Sequence, residues 1–119
     1  MRQPKSQNLA MAYDEDLARR IRAILQDRMD IAEKKMFGGL AFLAGEHMCC
    51  GVVKQELMVR VGPEQYEDAL GMKHARPMDF TGRPLKGMVY VATAGLRTRQ
   101  ALRSWIMRGL RFTDSLPPK

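Results

Sequence analysis

The stretch of sequence that decides the fold is HARPMDFTGRPLKGMVYV, residues 74–91. Its centre, TGRP at residues 81–84, combines glycine with proline, and both residue types favour tight turns. The run after this turn ends in VYV, which are residue types enriched in strands. The stretch therefore predicts a short extended segment over residues 77–80, a turn, and a strand over residues 85–92.

Three further strands are predicted upstream of this stretch. Residues 36–43 and 48–53 are apolar runs, and the glycine and glutamate at positions 45 and 46 between them are typical of a hairpin turn. Residues 57–61 alternate, so that a leucine and two valines share one face of a strand. Because consecutive strands joined by short turns usually pair with each other, the three strands indicate an antiparallel meander.

Amphipathic helices are predicted before, between and after these strands. Leucine and isoleucine recur at helical spacing over residues 14–29, and Asp14 is placed to cap the first turn. A proline before residues 64–70 and a glycine after them favour a short helix there. Thr98 is the candidate cap of the last helix. The apolar stripe of that helix consists of Leu102, Trp105, Ile106 and Leu110.

The order of these elements predicts an α+β fold. Amphipathic helices must cover an apolar face, which gives a two-layer sandwich with an antiparallel sheet of four to five strands. The 119 residues suffice for one core and one domain, which we expect over residues 13–119. Residues 1–12 are polar and are expected to form a flexible extension.

Composition favours a cytoplasmic protein that does not interact with membranes. No apolar run approaches the roughly 20 residues that a membrane helix requires, and no secretory signal is recognisable. The adjacent Cys49 and Cys50 are predicted to point to opposite faces of a strand, where a disulfide between them would be strained. Free thiols of this kind suit a reducing compartment.

The net charge of +7 is unevenly distributed along the chain. Residues 80–113 contain no acidic residue, so this region is a candidate interaction surface for nucleic acid or an acidic protein. A basic face that is merely solvated is the alternative, and nucleic-acid binding is expected to be weak or indirect because no helix-turn-helix or aromatic platform is evident. The basic residues of this region are Arg83, Lys86, Arg97, Arg99, Arg103, Arg108 and Arg111.

Metal and thiol chemistry have weak candidates only. His47, Cys49 and Cys50 are close in sequence, but the whole chain has two cysteines and two histidines, too few for a typical zinc site with paired ligands. We therefore predict no metal and no cofactor. One cysteine is expected to fill the core while the other meets solvent or a helix.

The loop over residues 74–87 is interpreted as structural. Asp79 lies near Arg76 and Arg83, and a carboxylate between two arginines is more often an ion pair than a base. Gly38 and Gly39 are interpreted as a bend inside the first strand that curves the sheet, with a ligand contact as the alternative. The residues that we assign to the loop are His74, Arg76, Pro77, Asp79, Phe80, Gly82, Arg83, Pro84 and Gly87.

Several blocks in fixed order give the chain a family resemblance. They are MFGG at residues 36–39, MCCGV at 48–52, RVG at 60–62, the loop at 74–86 and LPPK at 116–119. Over residues 13–119 the sequence resembles the TfoX N-terminal domain family. The resemblance implies an α+β domain, here in its standalone form, and supplies no established catalytic residues. TfoX/Sxy members are implicated in switching on competence genes together with the cyclic-AMP receptor protein.

These observations predict a regulatory module that is not an enzyme. The chain has no nucleotide-binding, serine-hydrolase or zincin motif. The expected partner is a protein, with the transcription machinery suggested by the resemblance. The alternatives are a small-ligand or metal-binding protein and a weak, nonspecific nucleic-acid binder.

Overall fold

Six antiparallel strands, three α-helices and one short 3-10 helix (Thr93–Gly95) build the part of the chain that the structure, a computed structural model, describes, namely residues 13–79 and 82–119. The predicted extension at residues 1–12 and the loop residue Phe80 lie outside this part. The elements are α1 (Glu15–Leu25), β1 (Ile31–Met36), β2 (Gly39–Ala44), β3 (His47–Val53), β4 (Glu56–Arg60), α2 (Tyr66–Leu70), β5 (Ala75–Pro77), β6 (Met88–Val91) and α3 (Arg99–Asp114). The predicted α+β class is confirmed.

The sheet has the strand order β1-β2-β3-β4-β6-β5, and every neighbouring pair is antiparallel. Six strands are present rather than four to five, because the edge strand β1 was not predicted. Its sequence is IAEKKM, and its four central residues are exposed. A strand with polar central residues on both faces shows no alternation of apolar and polar residues. Its pairing with β2 is therefore what identifies β1 as a strand.

The hairpin turn between β1 and β2 corrects the interpretation of Gly38 and Gly39 as a bend within one strand. Phe37 and Gly38 are the two central residues of the turn and have φ values of 56° and 72°. Positive φ at both positions is the signature of a tight two-residue hairpin. Gly39 begins β2, where a Cβ atom would lie 2.0 Å from the carbonyl oxygen of Val52. One glycine therefore serves the turn and the next permits close approach of β3.

All three helices pack on one face of the sheet. α1 begins where predicted, because the Asp14 carboxylate accepts hydrogen bonds from the backbone N–H groups of Asp16 and Leu17 at 2.8 and 3.2 Å. α3 is capped by Thr98. The predicted apolar stripe of α3 is buried, and it packs in one core with the buried side chains of residues 57, 59 and 61. No helix within the described residues is long and apolar enough to cross a membrane.

Candidate functional site

The face of the sheet opposite the helices carries the most distinctive surface of the described chain. Its hydrophobic cluster contains residues of strands and loops but none of the three helices. We call this surface the methionine face, because it holds five of the ten methionines in the sequence. It is formed by Met36, Phe37, Ala41, Leu43, Met48, Val53, Met58, Leu85, Met78, Met88 and Tyr90.

Strand alternation explains why these side chains meet. Met58 points away from the helices because its neighbours in β4, Leu57 and Val59, are part of the helix-side core. The centre of the face is buried, whereas Met36 and Met48 at its margin are half-buried. The face thus has a packed centre and a partly accessible rim. Local sequence patterns do not predict the methionine face. The signal that could have indicated it is the recurrence of methionine on four different strands and in the loop.

The loop between β5 and β6 closes one end of the methionine face. The N–H of Met78 donates to the carbonyl of Met88 at 3.2 Å, and the N–H of Leu85 donates to the carbonyl of Met78 at 2.8 Å. The Gly87 carbonyl accepts from the N–H groups of Val61 and Gly62. These backbone hydrogen bonds hold the described part of the loop against the sheet.

Asp79 lies at the surface of this loop. Its carboxylate is 3.8 Å from the guanidinium of Arg76, which also pairs with Glu56 and lies 4.6 Å from the centre of the Tyr90 ring. Burial raises the pKa of the Tyr90 phenol. Arg83, the second predicted neighbour of Asp79, is exposed and forms no ion pair within the described residues. Asp79 is therefore a solvated carboxylate that shares its arginine with Glu56.

The two cysteines do not point to opposite faces, and this prediction was wrong. In the pairing of β2 with β3, Phe42 lies opposite Cys50 and Leu43 lies opposite Met48, so Cys49 is the extra residue of a β-bulge. The bulge brings both thiols into the helix-side core, where both are fully buried. A hydrogen bond with Cys49, together with burial, raises the pKa of the Cys50 thiol, which disfavours the thiolate.

The weak metal candidates do not form a site. The Nε2 atom of His47 lies 2.8 Å from the carbonyl oxygen of Pro117. Among the described residues, no group of three or more histidine, cysteine or acidic side chains is arranged to hold a metal ion. The ring of His47 is thus close to a backbone carbonyl oxygen, and the two cysteines are hydrogen-bonded to each other.

The seven basic residues of the candidate interaction surface are spread over three places. Two are in the loop that closes the methionine face, three surround the beginning of α3, and two lie near its end. Arg108 pairs with Asp68 at 3.1 Å and stacks on Trp105. The other six are exposed and have no carboxylate partner within the described residues: Arg83, Lys86, Arg97, Arg99, Arg103 and Arg111.

Three of the hollows on the described surface lie next to the helices and the β3–β4 turn. The first, of about 400 Å³, lies between the end of α3 and the segment that joins β4 to α2. The second, of about 650 Å³, lies beside the β3–β4 turn, and the third, of about 220 Å³, lies between α1 and residues 93–97. None of the three is lined by Gly38 and Gly39, the cysteine pair or Asp79. The segments proposed from sequence as parts of a ligand site therefore do not line any of these hollows.

Comparison with known proteins identifies one family. The model of the family described as the TfoX N-terminal domain matches residues 23–113. The match begins within α1, ends within α3 and includes all six strands. It therefore includes the whole methionine face. No curated protein matches the chain.

Proposed function

The chain belongs to the TfoX N-terminal domain family, and from this premise we propose that it is a non-enzymatic regulatory module that binds a partner protein through the methionine face. The observation that carries the proposal is the asymmetry of the sheet, since all three helices pack on one face and the opposite face has an apolar cluster without them. Methionine side chains are flexible and polarisable, and such surfaces adapt to partner proteins.

Charge at the rim of the methionine face defines the chemistry of the partner. Lys34 lies directly opposite Ala41 in the β1–β2 pairing, so its side chain is on the same side of the sheet as the face. Arg83 and Lys86 flank the face in the closing loop, and all three cations are exposed. The carboxylates near the face, Asp79 and Glu56, share Arg76, so they do not neutralise these three cations. An apolar segment with acidic residues beside it would match both the half-buried apolar margin and the cations of the rim.

The absence of enzyme activity is part of the proposal. Its support is the exposed position of Asp79 and the raised pKa of the Cys50 thiol, because neither group has the environment of a general base or an activated nucleophile. We extend the proposal to the transcription machinery as the source of the partner, since TfoX/Sxy regulators act on gene expression. We also propose that the protein is located in the cytoplasm, because free thiols such as these two stay reduced in that compartment.

The proposal is tested by changing Met36 and Met48 together to glutamine. Both are half-buried at the margin of the face, so the change removes apolar contact area without opening the packed centre. A protein captured from lysate by the original chain is identified by mass spectrometry, purified and titrated against both forms. We expect its affinity to fall at least about tenfold, which corresponds to the loss of roughly 1.4 kcal/mol of binding free energy.

The matched control changes Met29 and Met72 to glutamine. These methionines are 100% and 42% exposed and lie outside the methionine face. The control should bind the purified partner as the original chain does. Equal loss of binding in both double variants, or binding that disappears after nuclease treatment, would contradict the proposal, and the second result would favour nucleic acid as the ligand.

A further inference from the structure

A cleft lies on the helix side of the molecule, apart from the methionine face. The cleft of about 400 Å³ between the end of α3 and the segment following β4 falls within the range of about 300–1,000 Å³ that small-molecule sites occupy. Its apolar lining is formed by Val61, Pro63 and Phe112. Its charged lining consists of Arg108, Arg111 and Glu64. The cleft thus combines an aromatic wall with cations, a pairing suited to a small anion with an apolar body.

The aromatic wall is held in place by two contacts. Gly62 has φ of 87°, and a Cβ atom at this position would lie 2.3 Å from Cδ1 of Phe112, so the backbone rests directly against the ring edge. The guanidinium of Arg60 lies 5.1 Å from the ring centroid, within the range of a cation–π contact. Phe112 therefore presents a preformed surface, and a ligand that stacks there would not need to order it.

The two arginines of the cleft differ in their interactions with other side chains. Arg108 is fixed by its ion pair with Asp68 and by its position 5.3 Å from the centroid of the Trp105 ring. Arg111 lies three residues later on the same side of α3, is exposed, and has no carboxylate partner among the described residues. Arg111 thus has its donors available for an anion in the cleft, with Arg108 as a second, fixed positive charge.

Glu64 limits the charge of that anion. Glu64 lines the same cleft, and Arg108 is already paired with Asp68, so Arg111 is the lining cation that has no carboxylate partner among the described residues. We propose that the cleft binds a small planar organic monocarboxylate, with its ring against Phe112 and its carboxylate on Arg111 and Arg108. A guanidinium matches a carboxylate with two parallel hydrogen bonds, and Glu64 would repel a dianion more strongly than a monoanion.

Benzoate is a suitable probe because the chain has one tryptophan, Trp105, and Arg108 stacks on it. Binding at the cleft is expected to change the fluorescence of Trp105 in a saturable way, after correction for absorbance by the probe. Benzamide has the same ring and no charge, and it should bind at least about tenfold more weakly. Phenyl phosphate should also bind more weakly than benzoate.

The deciding variant is Arg111→Gln, with Arg103→Gln as its control. Both arginines are exposed on α3 and lack a carboxylate partner within the described residues, but Arg103 does not line the cleft. We expect Arg111→Gln to weaken benzoate binding about tenfold and Arg103→Gln to change it less than about twofold. Circular dichroism checks that both variants are folded.

The inference would be overturned by no saturable response to benzoate, by equal affinity for benzamide, or by equal effects of the two arginine variants. Tighter binding of phenyl phosphate would also overturn it, because the site would then select a dianion. The double variant at Met36 and Met48 should bind benzoate unchanged. This result would distinguish a wrong inference about the cleft from a wrong proposal about the methionine face.

Discussion

Gly109 shows at the scale of a single residue how the fold depends on close packing. It lies inside α3, where glycine is normally unfavourable by about 1 kcal/mol relative to alanine. A Cβ atom here would lie 2.8 Å from the carbonyl oxygen of Cys49 and 3.0 Å from its Sγ atom. The missing side chain therefore lets the helix rest on the β-bulge of β3.

The first prediction follows from this contact. Gly109→Ala should lower the free energy of unfolding by about 1–3 kcal/mol, because a methyl group forced against backbone outweighs the gain in helix propensity. The measurement is urea denaturation followed by circular dichroism. Ser104→Ala, at an exposed position of the same helix, is the control and should be neutral or slightly stabilising. Stabilisation by Gly109→Ala would show that α3 can move away from β3.

At the scale of elements, the edge strand β1 is attached to α1 by one ion pair with two hydrogen bonds. Arg22 of α1 donates from Nε and Nη2 to the carboxylate oxygens of Glu33 at 2.7 and 2.9 Å. The hydrogen bond from Arg22 holds the pKa of Glu33 below its usual value. Both side chains are partly exposed, so the pair contributes at most about 1 kcal/mol.

The stability that this ion pair contributes should depend on pH. A carboxyl whose pKa is depressed by folding stabilises the folded state above its unfolded pKa, and this contribution is lost as the pH falls through the folded pKa. At pH 7, Glu33→Gln should therefore lower the free energy of unfolding by up to about 1 kcal/mol. At strongly acidic pH, where the Glu33 carboxyl is protonated in the folded chain as well, both forms should be equally stable. Urea denaturation at the two pH values tests this, and a difference that persists in acid would mean that the ion pair is not its cause.

The same elements explain which parts of the fold the sequence predicts. The stripe of α3 and the alternation of β4 are strong periodic patterns, and both were predicted correctly. β1 has no such pattern, the turn at Phe37 and Gly38 depends on a positive φ, and the bulge at Cys49 depends on the register of β2 with β3. The cleft and the methionine face depend on where helices settle on the sheet, which local patterns do not encode.

At the scale of the whole molecule, both thiols are buried in a single helix-side core. Cys49 and Cys50 are inaccessible, and α3 packs over Cys49 at Gly109. A reagent in solution reaches them only when the helices separate from the sheet. Their reactivity therefore reports the opening of the core as a unit.

The third prediction concerns this opening. In native buffer, reaction of both cysteines with a thiol-specific aromatic disulfide should be at least about a hundredfold slower than in the unfolded chain, because opening costs several kcal/mol. Increasing urea should accelerate the two thiols together. Rapid reaction of one thiol while circular dichroism stays native would show that the bulge opens locally.

Both edges of the sheet resist extension by further strands. β1 carries three charged residues in succession, Glu33, Lys34 and Lys35, and β5 at the other edge has three residues and ends in Pro77. Charges on an edge and a proline that lacks an N–H group both oppose pairing with a foreign strand. We therefore expect concentrated protein to show little tendency to form fibres through its strand edges.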